Sequence, residues 1–247
     1  AARASRLSPP PGRRREAQAL PMAFSGKDLL NLLFMLTSAA LLAWGPMTHP
    51  NAGPGKTFSY HPFFMGIGFA WLISMGYWMY NYEDLPTEWL DSKPSRRKAH
   101  ALVQCLGICC VIAGYVAVVL AHRHAGAALF AVSAHDPVTG LGFVAGPSWA
   151  RLVHVVVGYC VLALIVVQAL AGVVKWRSIG EDGGHSSFSL HETMGNVLYF
   201  CGIANVLLGV WLWEAWSLPL QALISLTMLT SMAFGPRWDG TRGYLSE

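Results

Sequence analysis

The chain has 247 residues, 54% hydrophobic and only 12% charged, about half the charged share of a soluble domain. That composition argues against a water-soluble globular enzyme, and a formal net charge of +4 gives no reason to invoke nucleic acid. Cys105, Cys109, Cys110, Cys160 and Cys201 all lie in apolar stretches without a C-x-x-C pair, so neither a disulfide framework nor a zinc site is indicated.

In chain order, residues 1–27 are rich in Ala, Arg, Ser and Pro and read as a disordered or extended basic arm. Their composition resembles what remains of an organellar targeting segment, which tilts the expected location toward an organelle membrane. Charge-free stretches follow at 29–55, 57–82, 99–122, 152–174, 193–213 and 215–236. A helix needs about 20 apolar residues to cross a bilayer. The Gly45-Pro46 break shortens the first stretch to roughly Leu29–Trp44, and the others are long enough. The pattern predicts an all-α membrane protein, with six transmembrane helices in one domain over 28–236 and a tail at 237–247. Of the 17 Lys and Arg residues, all but Lys56, Arg123 and Arg151 then fall on one side. The positive-inside rule puts both termini on the cytoplasmic, matrix or stromal face.

Four of these helices carry a histidine near their start: His61, His100, His154 and His191 on helices two to five. Consecutive helices run in opposite directions. His61 and His154 therefore lie near the outer face, His100 and His191 near the inner face, and no carboxylate lies within the spans. Ser189 and Glu192 form an S-x-x-E capping box that puts His191 in its helix's first turn. The positive end of the helix dipole there favours the neutral, ligating imidazole.

Helices four and five share one pattern, His154-Gly158-Gln168-Gly172 and His191-Gly195-Asn205-Gly209. At about 100° per residue, offsets of 4, 14 and 18 point within roughly 40° of the histidine. Such glycines serve close helix packing or, with a histidine on the same stripe, clear space for a flat ligand beside it. Structural zinc takes four protein ligands and catalytic zinc usually three. A porphyrin leaves two axial positions on its iron, which two imidazoles fill. The expectation is two haem b groups held by four histidines in a four-helix core, with no c-type attachment because no C-x-x-C-H occurs.

"HPFFM", "RRKAHALVQ", "HVVVGYCVLALIVVQALAGVVKWR" and "LHETMGNVLYFCGIANVLLGV", in this order, resemble the ligand helices of the cytochrome b-561 family. The last two are similar to the last two ligand helices of its DOMON-linked members, although no DOMON domain is expected within residues 1–27. The resemblance covers about residues 30–235. It implies that His61 pairs with His154 and His100 with His191, as the alternation already gave. It also implies one-electron transfer across the bilayer, from a donor such as ascorbate to ferric iron or monodehydroascorbate. A transmembrane ascorbate-dependent or ferric reductase would follow. The loop 123–148 is longer than the family's usual one and contains His124 and His135.

Basic residues flank both levels. Arg97 and Lys98, with Arg96, Lys175 and Arg177, suit haem propionates or an anionic reductant on the inner face, and Arg151, then Lys56, do so on the outer. The same residues also make up the positive-inside signal. His122, His124 and His135 read as solvated loop histidines or as a metal-gathering group. A second function stays open, an accessory subunit of a larger respiratory or photosynthetic membrane complex built on this scaffold. A homodimer is likewise open.

Overall fold

The computed structural model describes residues 26–48, 56–79, 92–125, 149–179, 190–213 and 216–234. Among them every regular element is helical. Helix α1 spans Gly26–Thr48. A continuous rod then runs from a 3-10 turn at Lys56–Ser59 through α2, Tyr60–Met65, a π-helical stretch at Gly66–Ile73, and α3, Ser74–Trp78. Helix α4 is Lys93–His124, α5 Trp149–Ile179, α6 Leu190–Leu212 and α7 Leu218–Ala233. The basic arm, the C-terminal tail, most of the loop 123–148 with His135, and the Ser189 half of the capping box lie outside the described residues.

Four helices, α1, α4, α5 and α6, are long and apolar enough to cross a membrane, and α7 is a shorter apolar helix. The second rod is as apolar but changes its helical type three times, two of them at the ends of the π-helical stretch. At both junctions, Gly66 and Ser74, the backbone stays right-handed helical, so the rod does not break. The Ser74 hydroxyl donates to the Phe69 carbonyl at 2.7 Å, supplying a partner five residues back where the usual ladder is widened.

Helix α4 begins earlier than its apolar stretch. The Ser92 hydroxyl accepts from the Ser95 N–H at 3.2 Å and a proline sits in the first turn, a start signal upstream of the charged run. Arg96, Arg97 and Lys98 are therefore inside the helix, and His100 is its eighth residue rather than its first. His154 is the sixth residue of α5, while His191 is the second of α6. The end-of-helix dipole argument consequently applies to His191 and not to His100.

Packing gives two antiparallel pairs and a belt. The second rod lies along α4, and α5 lies along α6. Helices α1 and α7 pack on each other, with buried Asn31 donating to the Ser231 carbonyl at 2.6 Å and Phe34 stacked on Phe234. Helix α1 also covers the second rod, where Met35 and Leu42 join Ala70, Tyr199 and Ile203 in the larger core. Leu102, Leu106 and Ile112 on α4 and Val166, Leu170 and Val174 on α5 are exposed. Apolar faces of this extent fit hydrocarbon rather than water. The chain is an integral membrane protein.

Candidate functional site

The two antiparallel pairs act as facing walls, and each wall carries one histidine at each of two levels. In the first wall His61 of α2 lies against α4, its Nδ1 3.0 Å from the Gly114 carbonyl oxygen. His100 of α4 lies against the rod, its Nδ1 2.7 Å from the Gly76 oxygen. In the second wall the His154 Nδ1 is 3.0 Å from the Asn205 oxygen of α6. A carbonyl oxygen can only accept, so Nδ1 carries the proton in all three and Nε2 is left with its lone pair. This is the arrangement in which an imidazole serves a metal, one nitrogen ligating and the other anchored by a backbone carbonyl.

Across the gap between the walls, the His61 and His154 rings are 6.3 Å apart between centroids and inclined at 87°. The His100 and His191 rings are also 6.3 Å apart, at 82°. By helix rise, 14 to 18 residues separate one level from the other along each helix, or about 21–27 Å. Phe69, Ile73, Val111, Val161, Ile165 and Leu198 fill the depth between with an apolar cluster.

The glycine stripes of α5 and α6 face each other. A Cβ at Gly209 would meet the His154 ring at 3.0 Å, and one at Gly172 the His191 ring at 3.1 Å. At Gly158 the neighbour is the Asn205 amide nitrogen, at 3.2 Å, and at Gly195 the Gln168 amide nitrogen, at 2.9 Å. Gly172 and Gly209 thus seat the other helix's histidine. At Gly158 and Gly195 the contacts are to amide side chains of the facing helix. The sequence stripe indicated the direction of these residues but not the amides they meet, because a neighbour on another helix leaves no trace in one helix's periodicity.

The flanking cations divide. The Arg97 guanidinium lies 5.3 Å over the Trp176 ring, a cation–π contact joining α4 to α5. Lys175 is near enough to act electrostatically on both His100 and His191. Lys98 and Arg151 are exposed. His122 is tied to its own helix, its Nδ1 2.8 Å from the Val118 oxygen, and His124 is exposed. Among the described residues no three His, Cys, Asp or Glu side chains converge as a metal cluster. Sequence reasoning missed the Tyr115–Tyr159 pair, whose hydroxyls are 3.4 Å apart between α4 and α5. It also missed Tyr77, stacked on Tyr199 at 4.1 Å and bonded to Asn196 at 2.8 Å. Tyrosines in apolar stretches carry no signal until the facing helix is known.

Long apolar helices that bring two imidazole pairs to two levels define an integral membrane protein. Residues 60–145 match the family model described as Eukaryotic cytochrome b561, and this match supports membership of the cytochrome b561 family. No curated protein matches the chain. The family implies haem b and transmembrane electron transfer. The residues present fit that group by a simple test. An imidazole nitrogen sits about 2.0–2.1 Å from a first-row metal and about 1.1 Å from its ring centre, so rings opposed across one metal have centres about 6.3 Å apart.

Proposed function

We propose that the protein carries single electrons across a membrane through two haem b groups, one of which His61 and His154 would hold and the other His100 and His191. The observation that carries this reading is the 6.3 Å separation of the rings in both pairs. A bound haem supplies a ferric/ferrous couple. The protein's own part is to hold three of the four imidazoles by their Nδ1 atoms and to keep water from the depth between the levels with the Phe69–Leu198 cluster. In this reading the second rod and α7 also cross the bilayer, giving six crossings, and the basic side bearing Lys98, Lys175 and Arg177 faces the cytoplasm, matrix or stroma. An anionic donor of the ascorbate class would be drawn there, with Lys175 and Arg97 close to the His100–His191 pair. It gives up one electron and one proton on that side, and a one-electron acceptor such as ferric iron or monodehydroascorbate is reduced on the other.

The test uses the full chain in liposomes, with ascorbate trapped inside and a membrane-impermeant ferric chelate outside. External ferrous iron should form only with the protein present, and His191→Ala should abolish it. Vesicles whose protein holds both haems yet transfers nothing to the outside would overturn the donor and acceptor assignment.

A further inference from the structure

His191 differs from the other three histidines. Its Nδ1 is buried with no hydrogen-bond partner, whereas those of His61, His100 and His154 each face a backbone carbonyl. A ring that ligates through Nε2 has an N–H at Nδ1, and metal-ligating histidines nearly always donate that proton to an acceptor. A second buried atom without a partner belongs to a side chain in contact with the same residue. Gln168 Oε1 accepts nothing, while Gln168 Nε2 donates to the His191 backbone oxygen at 2.6 Å. Gln168 lies one turn before Gly172, whose missing side chain makes room for the His191 ring. An orphaned donor and an orphaned acceptor thus sit on two residues already bonded to each other.

Resting on the haem reading above, we propose that Gln168 is a positioning residue for the His100–His191 site: its side-chain oxygen takes the His191 Nδ1–H and sets the orientation and donor strength of that ligand. The other level has no such device, because His154 is anchored by a main-chain oxygen that no substitution removes. The fold's near-symmetry is broken at this point. Asn205 occupies the corresponding place on α6 but serves His154 through its backbone. The two sites would then hold their electrons with unequal affinity, adjusted at one of them by one side chain.

The physical consequence has a sign. An acceptor on Nδ1–H makes the imidazole a stronger donor and favours ferric iron, and a carboxylate does so more than an amide. The experiment is a spectroelectrochemical titration of the full chain in nanodiscs, wild type against Gln168→Met and Gln168→Glu, with the two haems resolved. Gln168→Met, of similar volume, should shift the His100–His191 haem toward the ferrous form by about tenfold in ratio, or 59 mV for one electron. Gln168→Glu should shift the same haem the opposite way, and the His61–His154 haem should stay put in both. Opposite shifts at one haem are not what a merely structural loss produces. If Gln168→Met no longer retains haem, the sign of the Gln168→Glu shift decides. Unchanged potentials with both haems present, or equal shifts at both, would overturn the role of Gln168. A wild-type chain that binds no haem would instead overturn the reading on which it rests.

Discussion

The His61 and His154 rings are turned 87° to each other, and the His100 and His191 rings 82°. Two imidazoles in perpendicular planes on one haem iron would leave the two iron orbitals that they overlap nearly equal in energy. Oxidised protein should therefore give strongly anisotropic low-spin signals in electron paramagnetic resonance at low temperature, and ordinary rhombic signals from both haems would speak against these ring orientations. The glycines beneath the rings provide a second check. Leu at Gly209 has to displace the His154 ring, and Leu at Gly172 the His191 ring. Overpacking of this kind costs about 1–3 kcal/mol. Gly209→Leu should deplete the His61–His154 haem and Gly172→Leu the other, as read by haem-resolved optical spectra. Equal loss of both would assign these glycines to helix packing alone. Which histidines share a level is legible in the sequence, because consecutive helices run in opposite directions. The proton anchors are not, since a backbone carbonyl acceptor can belong to any residue type.

At the scale of elements, α1 and α7 form a belt outside the histidine walls. One polar link between them, Asn31 to Ser231, is buried and spans 200 positions of sequence. Asn31→Ala leaves the Ser231 carbonyl without this donor, at a cost of about 1–3 kcal/mol. Thermal unfolding in detergent should fall accordingly while haem spectra stay as in wild type; a spectral change would mean that the belt shapes the sites. Helices could be read as such from their apolar stretches, but their starts could not. Lys93 to Lys98 are polar yet helical, because charge limits insertion into lipid and not helix formation. The π-helical stretch was equally hidden. Gly66–Ile73 is as apolar as its flanks, and the Phe69 carbonyl within it takes both the backbone N–H and the hydroxyl of Ser74.

For the molecule as a whole, an apolar middle separates the two histidine pairs. Phe69 packs where Gly202 leaves no side chain in its way, bringing the rod against α6. On the other flank α4 and α5 meet through Tyr115 with Tyr159 and Arg97 with Trp176. The walls are thus tied on both sides while the histidine pairs face the space between them. The central claim is that each pair holds one haem. It is tested most directly by haem quantified per chain, with reduced-minus-oxidised spectra, for wild type and the single variants His61→Ala, His154→Ala, His100→Ala and His191→Ala. Two haems per wild-type chain are expected, with His61→Ala and His154→Ala depleting one spectral component and His100→Ala and His191→Ala the other. A haem content near zero in folded wild-type protein, or loss of the same component from His61→Ala and His100→Ala, would contradict it.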